Sequence, residues 1–105
     1  VTTAQITYAA RNSDFDGFAI NEGDYLALLD GKLFGTERDI TSLLTRLAAL
    51  AAEREAAFVT LFYGEGVSQE EAEAAQALFT EACPETEVSL LSGGQPVYYY
   101  TISIE

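Results

Sequence analysis

The chain has 105 residues, 49% of them apolar, and its 17 acidic residues against 5 basic ones give a formal net charge of −12. That length and apolar content suit one folded domain with a real core and exclude a disordered segment. The charge excludes nucleic acid and anionic membranes as natural partners, because their phosphates would be repelled.

Several further limits follow from composition. There is no histidine, so the commonest general base and transition-metal ligand is missing. A single cysteine, Cys83, can form neither an internal disulfide nor a thiolate cluster. It suits a cytoplasmic protein and a buried apolar position. No apolar run is long enough to span a bilayer, and neither a signal peptide nor membrane insertion is expected. The chain begins at Val1 and contains no methionine. Residues 1–105 are therefore expected to be a single domain and a fragment of a larger protein.

In chain order, Gln5–Arg11 alternates as a strand, with Ile6, Tyr8 and Ala10 on one face. Asn12–Gly17 is dense in turn residues, Phe18–Ile20 is a short extended piece, and Asn21–Asp24 is a second turn. Asp14-Phe15-Asp16-Gly17 faintly resembles a calcium loop but lacks the following ligand spacing, so it reads as a turn. Tyr25–Leu29 is an apolar strand, Asp30-Gly31 a tight hairpin signal, and Lys32–Phe34 the returning strand.

Gly35-Thr36 is expected to open the first helix, with Thr36 and Asp39 as its cap signal. Ile40, Leu43, Leu44, Leu47, Leu50 and Ala51 recur at helical spacing and form one stripe; the helix ends near Glu53 or Arg54. Ala57–Tyr63 is a nearly continuous apolar run and reads as a strand buried on both faces. Gly64-Glu65-Gly66 ends it. Ser68 followed by Glu71 is a capping box for a second helix, Gln69–Ala82. Its stripe is Ala72, Ala75, Leu78, Phe79, Ala82 and Cys83, and Pro84 stops it. Glu87–Leu91 is a short strand, Ser92–Pro96 a loop, and Val97–Ile104 the last, interior strand. Alternation in that strand puts Tyr98 and Tyr100 on one face and Tyr99 on the other.

This order predicts an α/β fold on the border of α+β. It is a two-layer sandwich in which two helices pack on a mixed sheet of five to six strands. The strand–helix–strand unit around the second helix should carry parallel strands. Gly64 and Gly66, with Gly93, Gly94, Gln95 and Pro96, are read as structural loops. A phosphate cradle at Gly64–Gly66 is disfavoured, because Glu65 lies in the loop and no Lys or Arg follows Arg54. Ser89 and Ser92 have no base beside them, so a binding or structural module is favoured over an enzyme.

The charge is regional. All five cations lie at or before Arg54, whereas nine glutamates follow it. Such a surface either keeps the chain soluble or steers a basic protein partner. Glu65, Glu70, Glu71, Glu73 and Glu81 are the candidate partner-binding residues. No catalytic, cofactor or metal residue is assigned.

Gln5–Ser13 with Asp16-Gly17, Glu22-Gly23-Asp24 and Leu29–Lys32 resemble, in order, segments of the last domain of fatty acid kinase kinase subunits. So do Tyr63-Gly64-Glu65, Val67-Ser68, Glu70–Glu73 and Gly93–Pro96 with Tyr98 and Tyr100. The resemblance spans nearly the whole chain. It implies a DegV-like subdomain and a parent with a dihydroxyacetone-kinase-like N-terminal domain holding ATP and magnesium, which is absent here. It further implies phosphorylation of a fatty acid held by a separate DegV-type acyl-binding subunit, which this region contacts. Two other roles fit the same resemblance: a small-ligand or lipid-sensing domain, and a purely structural domain of the parent kinase.

Overall fold

The computed structural model describes residues 1–105. In chain order the elements are β1 (Thr2–Tyr8), β2 (Ser13–Phe15), β3 (Phe18–Ile20), β4 (Tyr25–Leu29), β5 (Lys32–Glu37), α1 (Ile40–Glu53), β6 (Phe58–Tyr63), α2 (Gln69–Ala82), β7 (Glu87–Ser92) and β8 (Tyr100–Ile104). Six strands form one mixed sheet in the order β5-β4-β1-β8-β6-β7. Only β6 and β7 are parallel, and α2 joins them. Both helices lie on one face, α1 against β4 and β5 and α2 against β6 and β7, and they also touch each other. The fold is thus α+β, with the mixed sheet and the helix pair that the sequence pattern predicts.

The period-two pattern explains the layering. Ala4 and Ile6 of β1 are fully buried toward the helices, while Thr3, Gln5 and Thr7 between them are half-buried. On the same face, Val59 and Leu61 of β6 and Ile102 and Ile104 of β8 meet Leu43, Leu47 and Ala51 of α1 and Ala72, Ala75 and Phe79 of α2. Each large side chain buried there contributes about 1.5–3 kcal/mol. Cys83 is buried, and its Sγ–H points at the Ala48 carbonyl 3.6 Å away. A second, small cluster of Ala9, Ile20 and Leu26 seats the β2–β3 hairpin on Leu28 and Leu33, on the opposite face of the sheet. Asp16 (φ 50°) and Gly17 (φ 83°) form the hairpin turn, whereas Asp14, expected in the same turn, lies in β2 opposite Ala19.

The strand expected over Gln5–Arg11 is β1, Thr2–Tyr8, three residues earlier at each end. Four further expectations need correction. First, β5 runs on through Thr36 to Glu37, and the helix starts at Ile40. A bulge opposite Ala27 and Leu28 absorbs Phe34 and lets the strand continue. Asp39, rather than Thr36, is the N-cap and accepts from the Ser42 amide at 2.8 Å. Second, β6 is buried on one face only. Phe58 is half exposed and Phe62 half-buried, because the β2–β3 hairpin covers only the far end of the second face. Third, β8 starts at Tyr100. The Tyr98 amide donates to the Pro96 carbonyl at 2.8 Å, closing a three-residue turn about Val97 (φ 73°), and this breaks the extended run. Fourth, Ala82 is exposed at the end of α2, whereas Ala48 of α1 joins the core.

Candidate functional site

Three features meet at one end of the molecule: the loop after β6, the first turn of α2 and the loop before β8. The Gly64 amide donates to the Tyr99 carbonyl at 2.8 Å, and the Glu65 amide to the Gln95 carbonyl at 3.1 Å. Gln95 Nε2 donates to the Phe62 carbonyl at 3.1 Å, tying the loop back to β6. A Cβ on Gly64 would collide with the Tyr98 and Gln95 carbonyl oxygens, so only glycine lets the two loops touch. Gly94 takes a left-handed φ of 62°; Gly93 does not, and is instead crowded by the Gln95 side chain. Of these two loop glycines, Gly94 alone takes an angle that favours glycine. Gly66 lies beside the Tyr99 ring, and Pro96 is exposed in the turn about Val97.

The first turn of α2 is held by the capping box the sequence signals. Ser68 Oγ accepts from the Glu71 amide at 3.1 Å, and Glu71 Oε1 accepts from the Ser68 amide at 3.2 Å and hydroxyl at 3.0 Å. Glu71 Oε2 makes no hydrogen bond within the chain. Glu73 accepts from Gln69 Nε2 at 3.2 Å. Glu65, Glu70, Glu71, Glu73 and Glu81 are all exposed. The two ion pairs of the chain, Arg38–Asp24 at 2.9 Å and Arg46–Glu37 at 2.8 Å, involve none of them. The acids of α2 therefore carry uncompensated charge.

Between α1 and α2, above the sheet, lies a cleft of about 480 Å³. Ile40 and Leu44 line one wall, Ala74, Ala75 and Leu78 the other, and Tyr25, Tyr99 and Tyr100 close the end. Glu71 is the one charged residue in the lining. Tyr25 packs edge-on against Tyr8 at 5.2 Å and Tyr99 at 5.7 Å between ring centres. Burial, then the neighbouring Glu71 carboxylate, pushes the Tyr100 phenol up to about 12. Burial and the charges of Tyr99, Tyr8 and Glu71 raise Tyr25 as well. Both phenols are therefore neutral at physiological pH.

Comparison with known proteins assigns this arrangement to a family. The profile of the FakA-like fatty acid kinase C-terminal region matches residues 1–105. The chain belongs to that family. Protein YloV of Bacillus subtilis is 36% identical over all 105 residues, which are 19% of that protein. An uncharacterized protein of Staphylococcus aureus strain USA300 is 27% identical over the same span, again 19% of its length. The chain thus spans about a fifth of the relatives it matches.

In this FakA-like C-terminal domain, sequence reasoning located the capped acidic helix and missed the cleft. The signal it needed was the turn at Val97. That turn breaks the alternation expected across the three tyrosines, so Tyr99 and Tyr100 line the same cleft instead of facing opposite ways. No group of three or more His, Cys, Asp or Glu is placed to hold a metal ion, and no helix is long and apolar enough to cross a membrane.

Proposed function

We propose that this chain is the non-catalytic C-terminal module of a cytoplasmic fatty acid kinase and docks the DegV-type acyl-binding subunit through the acidic side of α2. Acyl phosphate formation, with ATP and magnesium, belongs to other domains of the parent. The observation that carries the reading is the row of uncompensated carboxylates. Glu65, Glu70, Glu73 and Glu81 are exposed with no cation beside them, and a helix does not need that much unbalanced charge for its own stability. Such a face raises the encounter rate with a basic surface and repels acidic competitors. A lipid-sensing role has less support, because no Lys or Arg lines the cleft to meet a fatty acid carboxylate.

The test compares the full-length protein with a version lacking this chain. The shortened protein should still bind ATP but lose association with the acyl-binding subunit and lose acyl phosphate formation. Undiminished association would remove the docking role. The isolated chain, given ATP, magnesium, fatty acid and that subunit, should form no acyl phosphate, and turnover above a blank would show that it is catalytic.

A further inference from the structure

We infer that the cleft between α1 and α2 is the anchor pocket of the docking surface, receiving a lysine or arginine side chain of the partner together with an adjoining apolar side chain. The inference rests on the docking reading and adds the chemistry of the contact. Its volume, about 480 Å³, lies within the range of about 300–1,000 Å³ typical of occupied pockets. Nine of its twelve lining residues are hydrophobic, which suits an apolar stem rather than a hydrated ion.

The polar groups at the tyrosine end select the sign of the head. Tyr25, Tyr99 and the buried Tyr100 line that end, and Glu71 supplies the only charge. Rings and a carboxylate together attract a cation, and a guanidinium can in addition stack on a ring. Glu71 can serve this role without releasing the helix. Its Oε1 is committed to Ser68, while Oε2 has no bond within the chain. A carboxylate or phosphate guest would meet Glu71 with no lining cation to offset the repulsion.

The cleft is also continuous with the acidic face. Ala74 is exposed and forms part of the lining. Glu70 precedes it by four residues and Glu81 follows it by seven, so all three share one strip of α2. An apolar pocket beside a charged rim is the arrangement in which a few buried anchors carry most of a binding energy.

The test uses the full-length protein and two substitutions that spare the core. Ala74→Trp fills the mouth of the cleft from an exposed position. Glu71→Gln removes the charge but keeps a residue competent for the capping box. Unchanged helix content and melting temperature verify that both fold. Association with the acyl-binding subunit should weaken about tenfold or more in each, the scale of losing a buried anchor. Calorimetric titration with hexyltrimethylammonium should show binding to wild type that Ala74→Trp abolishes. Hexanoate should show no binding that Ala74→Trp changes. Wild-type association with no loss in either variant overturns the pocket while leaving docking intact. Hexanoate binding as well as the cation in an Ala74-dependent way overturns the proposed chemistry. No association even for wild type removes the docking reading, and this inference with it.

Discussion

A methyl group on Gly64 has nowhere to go: its position is already occupied by the Tyr98 and Gln95 carbonyl oxygens, which belong to a backbone held by several hydrogen bonds. Gly64→Ala is expected to destabilise the protein by about 1–3 kcal/mol, the usual cost of overpacking a tight site, as read by chemical denaturation. Val97 presents the opposite case. It is a β-branched residue at φ 73°, exposed at the apex of its turn. Backbone strain of that kind costs about 1–3 kcal/mol, more than the entropic penalty of glycine, about 0.5–1 kcal/mol. Val97→Gly should therefore raise the melting temperature. Tyr100 gives a pH signature. Its phenol is pushed from 10.0 up to about 12 in the folded state, chiefly by burial. The folded protein holds that proton more tightly than the unfolded chain. The stabilisation is complete below pH 10 and is lost as pH rises from there through about 12. Tyr100→Phe should flatten the fall in melting temperature over that alkaline window. An equal fall in the variant would place its cause in the other tyrosines.

At the level of elements, the clearest sequence signals were those in which a side chain answers a backbone need. Ser68 and Glu71 mark the start of α2 because they satisfy its first amides, and both bonds of the box are present. Ser68→Ala should cost about 0.5–2 kcal/mol, while Ser68→Asp should restore most of it; equal stability of Ser68→Ala and wild type would contradict the capping account. Asp30-Gly31 likewise marks the β4–β5 turn, with both residues at positive φ. The boundaries that were not legible depend on tertiary geometry. Thr36 to Asp39 has the spacing of a cap, but the bulge at Phe34 extends β5 past Thr36 and leaves Asp39 to pair with Ser42. The apolar run of β6 signals burial without saying how much of it the chain itself supplies. Here the helices cover Val59 and Leu61 and leave Phe58 half exposed. The acidic helix could be read because its charges follow one another along the sequence. The cleft could not, since Tyr25, Leu44 and Tyr100 meet only after β4, α1 and β8 have packed.

For the whole molecule, the sheet order separates two kinds of surface. The five cations all precede α2, and two of them, Arg38 and Arg46, are already paired with Asp24 and Glu37. The half from β6 onward carries glutamates alone. That polarity gives the docking proposal its physical content: association driven by it must weaken as salt screens the charges, chiefly through the on-rate. The most direct measurement is the association rate of the full-length protein with the DegV-type acyl-binding subunit at about 50 mM and about 500 mM salt, a range over which screening becomes short-ranged. It should be made for wild type and for a Glu65, Glu70, Glu73, Glu81→Gln variant that leaves Glu71 and the cleft untouched. The account expects a steep loss of rate with salt in wild type, and in the variant a slower rate at low salt with a shallow salt dependence. A wild-type rate that ignores salt, or a variant as fast as wild type at low salt, would contradict docking through the acidic side of α2.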